Sequence, residues 1–123
     1  MDTPKVLSAT ARVTLGEAVS EKGVLIAIKT TDAKAYKAAD AANLRVIGIT
    51  EDVGDAGDKI VAQSGIYLLE NDSVSAVTQA HIGANCYVKN EKTVSSASGT
   101  NSIVAGKVVD VVSQGVWVAV GIV

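Results

Sequence analysis

Two valine-rich runs close the chain, IVAGKVVDVV (103–112) and VWVAVGIV (116–123), and only Ser113-Gln114-Gly115 separates them. This pair constrains the fold more than any other feature. β-Branched side chains lose rotamer freedom in a helix and pack well on a pleated surface. Two such runs around a glycine turn read as a β-hairpin. Side chains alternate along a strand, so Val116, Val118, Val120 and Ile122 form one stripe and Trp117, Ala119, Gly121 and Val123 the other. Both stripes are apolar. The first is expected to face a core. The second belongs either to another core layer or to a surface covered by another subunit.

The remaining sequence points to the same class. Among 123 residues there is no Phe, one Trp and three Tyr, although 48% of residues are hydrophobic. The core must therefore be built from Val, Ile, Ala and Leu. RVTL (12–15) reads as a first strand, and GVLIAIK (23–29) as a strand buried on both faces. LRVIGITEDV (44–53) enters an acidic turn, and KIVAQSGIYLLE (59–70) returns from it, with Gly65 as a bulge or bend. A short helical turn is expected within NDSVSAVTQAHIG (71–83), followed by strand NCYVK (85–89) and a short Thr-Val strand. SSASGTNS (95–102) reads as a loop of small residues. TDAKAYKAADAAN (31–43) stays open between a helix, which its alanines permit, and a polar hairpin flank. A chain of this length is expected to form one domain. The predicted fold is all-β: a mainly antiparallel β-barrel or β-sandwich-like domain over residues 12–123, with at most one or two short helices. Residues 1–11, with Pro4, are expected to form an extended arm.

Chemistry is sparse. The only histidine and the only cysteine, His81 and Cys86, stand five residues apart. A cysteine nucleophile needs a base within hydrogen-bond reach and usually a group that orients it. In a strand over 85–89, Cys86 points with Val88 toward the apolar side, where a thiol acts as a small hydrophobe. Packing is thus the expected role of Cys86, beside a partly exposed His81. Zinc needs three or four ligands, commonly several His or Cys, which one of each does not supply. The acidic turn (Glu51, Asp52, Asp55, Asp58) lacks the spacing of a calcium loop and reads as a solvated turn. No phosphate-binding, dinucleotide-binding or serine-nucleophile motif is present. A lone cysteine excludes an internal disulfide. The net charge of -2, without a basic block, argues against nucleic-acid binding. The first residues hold no apolar run suited to a signal peptide, and no run suits a membrane span. The chain is expected to be soluble, to bind no cofactor or metal and to have no catalytic residues.

The second half carries a resemblance. Cys86-Tyr87-Val88, Thr93-Val94, Ser98-Gly99-Thr100, Ala105-Gly106, Val109-Asp110-Val111 and Gly115-Val116-Trp117-Val118 occur in an order that resembles bacteriophage head decoration proteins, also called cement proteins. The likeness covers about the last 45 residues well. The middle, from LRVIGITEDV to SGIY, fits more loosely, and the first 30 residues fit only in character. The hairpin turn here, DVVSQG, is less acidic than is common in that family. The resemblance implies a β-fold on the exterior of a phage capsid, made in the host bacterial cytoplasm. It implies the major capsid protein as partner and a homo-oligomer, with a trimer preferred and a dimer as the alternative. Candidate contact residues are Thr3, Pro4, Lys5, Val6 and Leu7 of the arm, with Trp117 and Ala119. Outside that family, a tail or baseplate accessory, a glycan-binding module around Trp117 and the tyrosines, and a small enzyme using Cys86 are the alternatives.

Overall fold

A computed structural model describes residues 10–121. Ten strands alternate with turns and one short 3-10 segment, Gln79–His81. Strands β1 (Thr10–Thr14), β2 (Val24–Lys29), β3 (Ala35–Lys37), β4 (Leu44–Thr50) and β5 (Lys59–Gln63) form an antiparallel sheet in the order β1-β5-β4-β2-β3. The other five strands are β6 (Gly65–Asn71), β7 (Asn85–Val88), β8 (Thr93–Ser95), β9 (Val104–Val112) and β10 (Gly115–Val120). They close into a barrel in the order β10-β6-β8-β7-β9. One pairing in the barrel, β6 with β8, is parallel. The fold is all-β, as expected.

Strand β2 explains how the two units share a core. Leu25 and Ala27 lie in a cluster with barrel residues such as Cys86, Val94, Val116 and Val118. Val24 and Ile26, on the opposite face, pack with Leu15, Val19, Ile60 and Ala62. A strand covered on both faces needs apolar side chains at every position, and its first four residues are all buried. The chain passes between the units at Ser64, which is buried between β5 and β6. The bend expected near Gly65 is thus a change of sheet, not a bulge within one strand.

The open segment 31–43 forms no helix. Its alanines serve as small core residues instead. Ala35 is buried on one side of the sheet and Ala38 on the barrel side. Ala38 N–H donates to the Leu25 carbonyl at 2.9 Å, and Ile26, Ala27 and Ile28 pair with Lys37, Tyr36 and Ala35. The first strand begins at Thr10, so residues 10 and 11 belong to the sheet and not to an arm. Residues 1–9 and 122–123 lie outside the described residues.

The terminal hairpin forms as predicted. Gly115 pairs with Val112, which leaves Ser113-Gln114 as the connection. Only glycine suits position 115: its φ is +152°, and a Cβ there would collide with the Leu69 carbonyl. Val116, Val118 and Val120 are fully buried.

Candidate interaction surface

Strands β6, β10 and β9 lie side by side in the barrel wall. Leu69, Val116 and Val118 point inward, so alternation sends their neighbours outward. Trp117 stands between Leu68 of β6 and Asp110 of β9, and Ala119 between Ile66 and Lys107. Ile66 is 56%, Leu68 41% and Trp117 37% exposed, and Ala119 is half-buried. A bulge between Trp117 and Val118 makes Val109 the extra residue, and its side chain is exposed. The result is one apolar strip (Ile66, Leu68, Trp117, Ala119, Val109) edged by Lys107, Asp110 and Glu70. An apolar centre with a polar rim is the anatomy of a protein interface, and Trp is enriched among residues that dominate binding energy.

Among the described residues, Trp117 and Ala119 of the second β10 stripe form no further core layer. The two are brought together on the apolar strip. Thr3, Pro4, Lys5, Val6 and Leu7 lie outside the described residues. Ile66 and Leu68 were not singled out from the sequence, because Ile66-Tyr67-Leu68-Leu69 is apolar at every position and shows no alternation. Val109 was hidden by the bulge.

Cys86 is fully buried, and its Sγ donates to the Gly106 carbonyl at 3.5 Å. Burial pushes its thiol up to about 11, which disfavours the nucleophilic thiolate. Packing is the role its surroundings support. His81 Nδ1 accepts a hydrogen bond from Thr78 N–H at 2.9 Å, and the His81 backbone N–H donates to the Thr78 carbonyl. The ring therefore caps its own short turn. No hydrogen bond joins His81 to Cys86 among the described residues.

The acidic turn is exposed, as expected. Asp52 accepts the Val61 N–H and Asp58 the Asp55 N–H, both at 2.8 Å, so two of its four carboxylates serve the turn itself. No group of three or more His, Cys, Asp or Glu among the described residues is arranged to hold a metal ion. Among the same residues, no helix is long and apolar enough to cross a membrane.

Among the described residues, Asp72 is the one carboxylate drawn into the interior. It accepts from Lys89 Nζ at 2.7 Å, Ser95 Oγ at 2.9 Å and Val74 N–H at 3.0 Å. The Lys89 bond is the main cause that holds its carboxyl far below its ordinary value, with the Val74 N–H next. Asp40, between β3 and β4, accepts the N–H groups of Thr100 and Asn101 at 2.9 and 2.8 Å. Asp72 ties together the barrel loops, and Asp40 ties the sheet to the barrel.

No family model matches the chain, and no curated protein or solved structure shows significant similarity to it.

Proposed function

We propose that this protein is a structural virion component. It binds the outside of a phage capsid and stabilises the expanded shell by bridging major capsid protein subunits. One observation supports the binding role most: the apolar strip centred on Trp117, exposed on the wall of a closed barrel. A closed barrel has no edge to protect, and its inner face is already filled. Outward apolar side chains on three adjacent strands therefore add nothing to this chain's own core. The phage assignment comes from the resemblance of the ordered motifs from Cys86 to Val118.

The mechanism is selective binding. Fully burying a large apolar side chain contributes about 1.5–3 kcal/mol, and association itself consumes much of that gain. One strip thus gives a modest contact. Repetition over a symmetric shell makes many such contacts act together. A protein that binds only the expanded state stabilises that state by mass action.

The test is the amount of this protein in purified DNA-filled heads, relative to the major capsid protein. A fixed simple ratio is expected. The Trp117→Ser and Leu68→Ser variants, folded by circular dichroism, should fail to sediment with heads. Residence in the tail fraction would make it a tail or baseplate accessory. Absence from particles would overturn the virion reading and favour glycan binding at Trp117.

A further inference from the structure

A groove of about 480 Å³ runs between the start of β4 and the start of β9. Leu44 and Val46 form one wall, Ile103 and Val104 the other, and Arg45 and Lys107 border it. Among the described residues, no acidic one lines the groove. Neither the Arg45 nor the Lys107 side chain has a hydrogen bond or ion pair among the described residues. Among the described residues, strand β5 pairs with β4 only where Gln63 meets Ile49, so Leu44–Val46 have no described strand partner on the edge away from β2.

The opposite end of β4 presents the converse chemistry. Glu51-Asp52-Val53 follows the strand, lies in no strand or helix, and is exposed. Val53 is 52% exposed. Asp52 is held by the turn, whereas the Glu51 and Asp55 carboxylates accept no hydrogen bond among the described residues. An apolar side chain flanked by free carboxylates thus stands at one end of β4. An apolar floor flanked by free cations stands at the other. Val46 and Glu51 are five residues apart along extended chain, about 16 Å, so one molecule does not place its own turn in its own groove.

We propose that the groove receives the acidic turn of a second copy of this chain. Val53 enters between Val46 and Val104, Glu51 and Asp55 pair with Arg45 and Lys107, and Glu51–Val53 lies along the open edge of β4. Edge addition supplies backbone bonds, and opposite charges steer and register the contact. Because turn and groove are different patches, the contact is met twice across a two-fold axis or once per neighbour in a ring. The proposal does not depend on the capsid reading, since it concerns the isolated protein.

Sedimentation velocity of the purified full chain tests it, over a range of protein and salt concentrations. Wild type is expected to self-associate, more weakly as salt rises. Arg45→Glu with Lys107→Glu should weaken association by roughly 100-fold or more, as should Glu51→Lys with Asp55→Lys. Mixing these two variants should restore assemblies, since each supplies the charge the other lacks. Trp117→Ser should associate like wild type, which separates this contact from the apolar strip. Circular dichroism checks the fold of each variant, and all the substituted side chains are on the surface. A wild type that stays monomeric would overturn the proposal. So would charge variants that associate normally, a mixture that stays monomeric, or loss of association in Trp117→Ser.

Discussion

The barrel and the sheet are built from the same few side chains, yet they leave opposite kinds of surface unfinished. The barrel closes every backbone edge and exposes an apolar strip around Trp117. The sheet covers the apolar side chains of strand β2 on both faces and, among the described residues, leaves backbone edges open at β1 and the first half of β4. The difference follows from how each is filled. A closed barrel has one inside, so one stripe of each strand must look outward. An open sheet between the barrel on one face and the Leu15–Val19 segment on the other has two covered faces, but it must end somewhere. Association through side chains is therefore the barrel's option, and association through edges and turns the sheet's.

The largest expected effect comes from the residue both units share. Leu25→Ala opens a cavity where β2 meets the barrel and should cost about 2–5 kcal/mol. Urea unfolding should remain a single transition, because one cluster spans both units. Two separate transitions would mean that sheet and barrel fold independently.

Asp72 makes the barrel sensitive to acid. Its folded carboxyl lies well below its ordinary value of 3.8. A depressed acid contributes stability that is present above the unfolded value and is lost as pH falls toward the folded one. Urea midpoints of wild type should therefore drop below pH about 4, and Asp72→Asn, already weaker at neutral pH, should drop less. Equal acid sensitivity in both proteins would remove Asp72 from this role.

A buried thiol and an exposed indole sharpen the contrast between the two faces of the barrel wall. Native Cys86 should react with a thiol reagent only through unfolding, so its labelling rate should rise with urea. Fast labelling in native buffer would contradict the packing role. Trp117→Ser should change stability by about 1 kcal/mol or less, because surface positions outside special features contribute little, while binding to heads is lost. The smallest effect belongs to the sheet–barrel tie. Asp40→Ala should speed hydrogen exchange at Thr100 and Asn101, whose N–H groups it accepts, and leave β9 and β10 protected.

Much of this molecule is legible in its sequence. The terminal hairpin, the doubly buried β2, the helical turn ending at His81 and the burial of Cys86 all follow from local pattern, because alternation and β-branching act within a few residues. Where the pattern is uniform, it is silent. Ile66-Tyr67-Leu68-Leu69 is apolar throughout, so which residues look outward is decided by Gly65 and Leu69 meeting the barrel interior. The alanines of 31–43 suit a helix by propensity, but pairing with β2 and burial of Ala35 and Ala38 outweigh a preference of a few tenths of a kcal/mol per residue.

By itself, then, the sequence determined the class: an aliphatic β-protein with two apolar stripes on its last strand and no assembled catalytic motif. Only the tertiary structure decided that five strands close while five stay open. It also decided that Trp117 shares a strip with Ile66 and Leu68, and that Arg45 and Lys107 border one groove. Those outcomes rest on contacts between residues far apart in the chain, and local propensity carries no information about which distant strands will meet.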